Sequence, residues 1–429
     1  MNRNLATEAD SKGLWAWAWY DWATQSYATV ILTFVFAAYF TNRVAEDVEH
    51  GTTLWSLTVG LTGLCVALSG PFLGAIADRA GRRKPWIVTA TILCIAATAA
   101  LWFVKPQVEH QMLALILLAG ATFGMQLAAI FYNAMLGDLA PPAIYGRWSG
   151  RGWAMGYIGG VFCLLTVLLL FVREGAWLPL PHDAAQHIRV AFPFVSLWLL
   201  VFSLPLLLRT PDRTSNALPW RRSIREGLAQ VTRSARQIRR YRHLVRFLIA
   251  RAIYSDGLAT IFALGGVYAA GTFGMSETEV LIFGIGLSIA AGLGSLAFSV
   301  VDDKIGSRRT ILLTLAALFC CSVLILLATT RLWFWLFGTL LGCFVGPVQS
   351  CSRSYLSRAA PEALRGQMFG VYALAGKSTS FLGPLIVGGL TALFQSQRIG
   401  MIIVPTYFAL GWLILRGVPD RTEDVPPSS

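Results

Sequence analysis

Charged residues are scarce in this chain: 13% of its 429 residues are Asp, Glu, Lys or Arg, while 55% are hydrophobic. So little polar surface excludes a water-soluble particle of this length, and lipid is expected to cover much of the protein. Cysteine is sparse as well. The seven (Cys65, Cys94, Cys163, Cys320, Cys321, Cys343 and Cys351) lie inside apolar runs, are odd in number and follow no Cys-x-x-Cys or Cys/His spacing, so they imply neither a disulfide framework nor a metal site. No cofactor is expected. His-Glu-x-x-His, Gly-x-Ser-x-Gly and the paired aspartates of an intramembrane protease are missing, which argues against an enzyme. His50, His110, His182 and His187 fall in outer loops and His243 beside the inner surface. Without a Gly-x-x-x-x-Gly-Lys-Ser/Thr loop, ATP-driven transport is disfavoured. Asn-x-Ser/Thr is absent too, and with the short loops this suits a bacterial cytoplasmic membrane, or an internal membrane if the source is eukaryotic. No small-residue cleavage site follows Met1–Leu14, so the first helix is expected to be its own insertion signal.

What the chain has instead is apolar runs of about 18 to 25 residues, the length that crosses a hydrocarbon core of about 30 Å. They predict helices near 16–42, 54–77, 85–104, 111–138, 150–172, 190–208, 244–272, 278–300, 310–329, 332–357, 367–393 and 398–416. The expected fold class is an all-α membrane protein of twelve transmembrane helices, with both termini on one side. The N-terminus, the segments 78–84, 147–151, 209–246, 301–309 and 353–365, and the C-terminus hold 27 of the 35 basic residues. The opposite loops hold six (Arg43, Lys105, Arg173, Arg189, Arg331 and Arg398) together with most of the loop glutamates. The basic side is therefore expected to be cytoplasmic. A net charge of +13 can suggest nucleic acid, but eleven of the arginines fall within 209–246. There Trp220, Ile224, Leu228, Val231 and Ile238 recur at helical spacing among Arg221, Arg222, Arg225, Arg233, Arg236 and Arg239, the pattern of an amphipathic helix on an anionic leaflet. An orientation signal and plain link between halves is the simpler reading, and no nucleic-acid partner is expected.

The chain also repeats itself. Asp78-Arg79-Ala80-Gly81-Arg82-Arg83-Lys84 follows the second helix and Asp303-Lys304-Ile305-Gly306-Ser307-Arg308-Arg309 the eighth, 225 residues later. Ala140-Pro141 with Gly146 and Gly150 is matched by Ala360-Pro361 with Gly366 and Gly370, offset by 220. Two six-helix halves are expected, 1–208 and 244–416, joined by a basic linker 209–243 and followed by a tail 417–429. In each Asp-x-x-Gly loop the glycine permits a tight turn, the carboxylate can accept N–H groups at a neighbouring helix N-terminus, and the arginines can bridge to the other half. Asp78, Arg79, Gly81, Arg82, Arg83, Asp303, Lys304, Gly306, Arg308 and Arg309 are therefore the candidate gating residues. Glycines in helices two, five, eight and eleven mark where backbones pack closely.

These loop repeats resemble the signature motif of the major facilitator superfamily. Tyr20-Asp21-Trp22-Ala23-Thr24-Gln25-Ser26-Tyr27, Tyr254-Ser255-Asp256-Gly257, Gly265-Gly266-Val267-Tyr268-Ala269-Ala270-Gly271, Gln349-Ser350-Cys351-Ser352-Arg353-Ser354 and Gly376-Lys377-Ser378 resemble its vacuole-effluxer-like branch. The resemblance implies alternating access around a central cavity and, for the fungal vacuolar members, amino-acid efflux. A monomer is the default for such a fold.

A charge at the centre of a membrane helix costs about 2.5–3.5 kcal/mol or more, so each one needs a reason. Asp21, Arg251, Asp256 and Lys377 lie inside predicted helices. The leading expectation is that Lys377, helped by Arg251 and Arg353, attracts the carboxylate of a small organic solute, while Asp256 or Asp21 carries a coupling proton. The structural alternative is that Asp256 neutralises Lys377 or Arg251. Tyr20, Gln25, Gln126, Asn133, Tyr254 and Gln349 supply neutral hydrogen-bonding groups for the same cavity. Arg353 lies close enough to the interface to snorkel to a phosphate. The expected function is secondary active transport, with export of an amino acid or other carboxylate-bearing solute; the alternatives are a sensor on a transporter scaffold, or a different solute class such as sugars or drugs.

Overall fold

The computed structural model describes residues 3–173, 175–178, 180–212, 222, 224–226, 229, 241–275, 277–377 and 382–418, and among these only helices, turns and short connections occur. The helices are α1 (Ser11–Val44), α2 (Val48–Ala80), α3 (Lys84–Ala100), α4 (Gln111–Leu139), α5 (Tyr145–Val167), α6 (Ala191–Arg209), α7 (Arg242–Phe273), α8 (Glu277–Ile305), α9 (Ser307–Leu327), α10 (Arg331–Ala359), α11 (Arg365–Lys377), α12 (Leu382–Phe394) and α13 (Ile403–Arg416). Eleven helices among the described residues are long and apolar enough to cross a membrane. The span predicted at 367–393 appears as the shorter α11 and α12, with residues 378–381 outside the described residues. Most of the basic segment 209–243, including Trp220, Arg221, Leu228, Val231, Arg233, Arg236, Ile238 and Arg239, also lies outside them, as does the tail beyond Val418.

Local sequence explains several helix ends. Pro85 stands in the first turn of α3, where its missing N–H is no loss. Gly81 and Gly306 end α2 and α8 at φ of 84° and 90°, a backbone that only glycine adopts without strain. Pro71, Pro205 and Pro347 sit inside α2, α6 and α10, where packed neighbours can compensate for the interrupted bonding. In α1 the turns widen to π-helix over Tyr27–Phe34 and Phe40–Val44. Outward positions are Leu, Ile and Phe, as at Leu208, Leu332 and Leu393, while Trp17, Tyr27, Phe36, Phe131 and Tyr254 fill the interior.

Helices α1–α6 pack among themselves, α7–α13 likewise, and the two sets meet chiefly where α2 lies on α11 and α5 on α8. Small residues set both contacts. Gly70 and Gly74 of α2 face Gly370 and Gly366 of α11 backbone to backbone, and a Cβ on Gly74 would run into the Gly366 carbonyl. Gly150 of α5 lies against Ser295 and Ser299 of α8 in the same way. Not every glycine that the sequence marks is of this kind: Gly60 and Gly286 have open space where a side chain would go. Gly74→Val is therefore expected to destabilise by about 1–3 kcal/mol, the usual range for overpacking, whereas Gly60→Val is expected to leave thermal unfolding in detergent unchanged.

Candidate functional site

Residues of α1, α4, α5, α7, α10 and α11 wall a cavity of about 320 Å³ between the two sets of helices. Helical periodicity puts them there. Asp21, Gln25 and Ala28 share one face of α1, Gln126, Ala129 and Asn133 one face of α4, and Gln349 and Arg353 one face of α10. Trp153 and Tyr372 contribute aromatic walls.

Arg353 ties the two sets together. Its side chain is only 2% exposed, and its guanidinium donates to Asp21 Oδ2 (3.0 Å), Asn133 Oδ1 (3.3 Å), Ser149 Oγ (2.8 Å) and the Ser149 carbonyl (2.6 Å). The Trp17 ring lies 4.8 Å from its Cζ. The expectation that Arg353 snorkels to a lipid phosphate is overturned: α5 and α1 enclose the guanidinium, and four acceptors satisfy it in place of the headgroup. Gly152 makes room for this pair, since a side chain there would meet Asp21 Oδ2.

Arg251 lines the same cavity from α7. It donates to the Tyr372 carbonyl (2.7 Å) with its Cζ 3.3 Å from the Tyr372 ring centroid, and among the described residues it forms no ion pair. Its neutralisation by Asp256 is not what the structure shows. Asp256 is 2% exposed, hydrogen-bonds with Tyr407, and lies in the interior of α7, α12 and α13, away from the cavity lining. Tyr254 is turned away too: its hydroxyl pairs with Ser352 (2.7 Å) inside the second set of helices. Tyr20 borders the cavity, but its hydroxyl is engaged by Thr91 (2.6 Å). Gln349 donates to the Tyr157 hydroxyl (3.0 Å), which again joins the two sets. Lys377 ends α11, and its side chain lies outside the described residues. Tyr254→Phe is expected to cost about 0.5–1.5 kcal/mol for one buried hydrogen bond and to leave solute movement intact, read by thermal unfolding beside a flux assay.

At the ends that carry the basic loops, the two Asp-x-x-Gly loops make matching contacts. Asp78 in the last turn of α2 accepts the Gly366 and Gln367 amides at the start of α11 (3.0 Å each), and Asp303 in the last turn of α8 accepts the Gly146 and Arg147 amides at the start of α5 (2.8 and 3.0 Å). The first-turn N–H groups of a helix have no intrahelical partner, so a carboxylate from the other set satisfies them and meets the positive end of the helix dipole. The contacts described for Arg83 and Arg308 of these loops lie within their own sets, where a bridge to the other half was expected. Arg83 stays within its own set, bonding Asp78 (3.2 Å), Asp138 (2.5 Å) and the Ala134 carbonyl, and Arg308 caps the end of α13 through the Leu415 and Arg416 carbonyls. They follow the helix ends nearest to them. Arg82, Lys304 and Arg309 are exposed and Arg79 half-buried. The ion pairs that cross are Arg365 on Asp138 (2.9 Å) and Arg147 on Asp303 (3.7 Å), while Arg358 crosses to the Pro142 carbonyl (2.9 Å) and pairs within its own set with Asp302 and Asp303 (2.7 and 2.8 Å). Arg358, Arg365, Asp302, Asp138 and Ser149 are the residues that sequence reasoning missed or left in loops. Their signal was available only as basic residues between Ala360-Pro361 and its neighbours, and as an acid doubled beside Asp303.

An all-helical chain with small-residue seams and a polar cavity between two sets of helices defines a membrane transporter, and solved structures show the same fold. The proton:xylose symporter XylE bound to 6-bromo-6-deoxy-D-glucose matches with a TM-score of 0.73 at 14% identity, covering 96% of this chain and 97% of that one. The human organic anion transporter MFSD10 matches with a TM-score of 0.70 at 15% identity, over 95% and 99% of the two chains. This is the major facilitator fold. A family model described as vacuole effluxer Atg22 like matches residues 143–422, and one described as sugar (and other) transporter matches residues 11–204. The chain belongs to the vacuole effluxer Atg22-like family of major facilitator transporters. It is 26% identical over 412 residues to the uncharacterized MFS-type transporter YxiO of Bacillus subtilis (strain 168), covering 95% of each chain. It is 23% identical over 294 residues to autophagy-related protein 22 of Coccidioides immitis (strain RS), covering 62% of this chain and 46% of that one, so it spans about half the length of the fungal relative.

Proposed function

We propose that this protein is a secondary active transporter that exports a small carboxylate-bearing solute, an amino acid in the first instance, through the cavity between two six-helix halves, 1–208 and 244–416. The observation that carries this reading is the charge in the cavity wall. Asp21 and Arg353 cancel each other across the halves, while Arg251 adds a cation with no ion-pair partner among the described residues, so the wall favours an anionic group. Arg251 receives the carboxylate, stacked on Tyr372, and Lys377 at the end of α11 assists. Gln25, Gln126, Asn133 and Gln349 offer neutral hydrogen bonds to the rest of the solute. Asp21 is the coupling group. A proton placed on it weakens its hold on Arg353 and so loosens one tie between the halves. The basic ends, with both termini, face the cytoplasm, and the caps made by Asp78 and Asp303 close that side. One chain encloses one complete cavity, which suits a monomer.

The test is counterflow and gradient-driven flux of labelled amino acids by the purified protein in liposomes. Arg251→Met is expected to raise KM by about tenfold, the equivalent of one charge-assisted contact. Asp21→Asn is expected to keep counterflow and lose accumulation driven by a proton gradient. Both variants folded and transporting normally would sink the site assignment. A second reading, that the solute is an uncharged sugar, is favoured by the carboxamides of Gln25, Gln126, Asn133 and Gln349 in the cavity wall. Labelled sugars in the same counterflow assay decide between the two.

A further inference from the structure

Several arginines at the end of the protein that carries the basic loops have their acceptors within the fold: Arg83, Arg308, Arg358 and Arg365 all hold carboxylates or carbonyls there. Arg151, in the second turn of α5, is different. Among the described residues it makes neither an ion pair nor a hydrogen bond, and its guanidinium lies instead over two indoles, with Cζ 4.7 Å from the Trp148 ring centroid and 5.4 Å from that of Trp15. The two rings meet edge to face, 5.2 Å apart at 82°. Trp148 is buried and Trp15 is 45% exposed. Attraction to the rings holds the cation in place and takes up none of its five N–H donors, so the fold has fixed a planar donor and given it nothing to donate to.

Helical spacing shows what this arginine faces. Ile158, Phe162 and Leu165 stand 7, 11 and 14 positions beyond Arg151 and so share its face of α5. All three are exposed apolar side chains, which in a bilayer puts that face against lipid and Arg151 at its polar edge. Trp22 of α1 runs beside the stripe, its ring 6.0 Å from that of Phe162. Two further cations flank the position. Arg147, one turn earlier on the same face, is 45% exposed while it pairs with Asp303 at 3.7 Å, and Lys12, one turn before Trp15 on α1, is exposed. Asp303 is also shared with the Gly146 and Arg147 amides and with Arg358, so the described side chains around Trp15 leave an excess of positive charge.

We infer that Arg151, seated on Trp15 and Trp148, binds the phosphate of an anionic phospholipid such as phosphatidylglycerol, with one acyl chain lying along Ile158, Phe162 and Trp22. The guanidinium fork matches two phosphate oxygens at once, and an exposed indole at the membrane edge sits at headgroup level. Arg147 and Lys12 select for net negative charge, because they attract an anionic headgroup and repel the ammonium of a zwitterionic one. The apolar stripe separates a lipid from a soluble phosphate, which would gain nothing from it. This site lies outside the transport cavity, and the inference does not rest on the solute assigned there.

The test uses the full chain in phosphatidylcholine nanodiscs that contain a rising fraction of phosphatidylglycerol with a diazirine on one acyl chain, the crosslinks being mapped by mass spectrometry. Saturable labelling around Ile158 and Phe162 is expected, competed by untagged phosphatidylglycerol and not by inorganic phosphate. A phosphatidylcholine probe with the same tag should label there about tenfold less. Arg151→Gln is expected to weaken labelling by phosphatidylglycerol about tenfold, the loss of one charged phosphate contact. Trp15→Leu, at an exposed position, is a second variant and should weaken it in the same direction, since the guanidinium loses one of its rings. Arg82→Gln removes an exposed arginine at the same end of the protein and should leave labelling unchanged. Competition by inorganic phosphate would assign the site to a soluble anion and overturn the lipid. Equal labelling by the two probes, no effect of either Arg151→Gln or Trp15→Leu, or an equal loss in Arg82→Gln would show only general attraction to a basic surface and overturn the inference as well.

Discussion

Arg353→Met is expected to lower stability by about 3–5 kcal/mol, because it removes one partner of a buried ion pair and leaves Asp21 uncompensated. The arginine has no water to fall back on at 2% exposure, and Asp21 and Asn133 lose the donor that joins α1 and α4 to α10. Transport should be lost along with it, since the tie between the halves no longer forms and breaks. The double variant Asp21→Asn with Arg353→Met separates the two effects. It removes both charges, so thermal unfolding should recover by a coupling energy of about 0.5–3 kcal/mol while transport stays absent. Additive losses in unfolding would show that the two side chains do not act on each other, and wild-type transport in the double variant would show that the pair is only a brace.

Asp78→Ala combined with Asp303→Ala is expected to open the end of the protein that these carboxylates hold shut. Each aspartate accepts two backbone N–H groups from a helix of the other set. Hydrogen bonds to a charged group are worth about 1.5–3 kcal/mol each when closed, offset by hydration when open. Reversing a two-state population from 99:1 to 1:99 takes about 5.5 kcal/mol, which four such bonds, at about 6–12 kcal/mol together, exceed, while two, at about 3–6, reach only at the top of their range. The single variants should therefore broaden the distribution and the double variant should invert it. Spin labels at Arg82→Cys and Lys304→Cys, both exposed positions at the two loops, read this as a longer distance by pulsed electron paramagnetic resonance. An unchanged distance in the double variant would show that the small-residue contacts of α2 with α11 and α5 with α8 hold the closed state alone.

The helices were legible because twenty or so apolar residues in a row have one low-energy arrangement in lipid, and the loop repeat was legible because Asp78 and Asp303 stand in like sequences. Their partners were not. Gly366 and Gly146 donate backbone amides, which every residue carries, so nothing in their identity marks them as the ends that meet those aspartates. Arg358 and Arg365 read from sequence as positive-inside charge like their neighbours, and became bridges only where α10 and α11 brought them beside Pro142 and Asp138. Asp256 was conspicuous for the opposite reason. A carboxylate in an apolar run stands out in sequence wherever its side chain points, and here it points toward Tyr407.

By itself the sequence determined that the chain lives in a bilayer, that it is built of helices and that an Asp-x-x-Gly loop recurs half a chain apart; these are properties of composition, length and local order, which lipid and the backbone enforce without reference to distant residues. Only the tertiary structure decided that Asp21 meets Arg353 across 332 positions of chain, that Arg251 faces the cavity without an ion-pair partner among the described residues, and that Tyr254 and Asp256 turn away from it. The reason is that a side chain's pairing depends on which helix face its neighbours leave open, and that is set by how the helices pack.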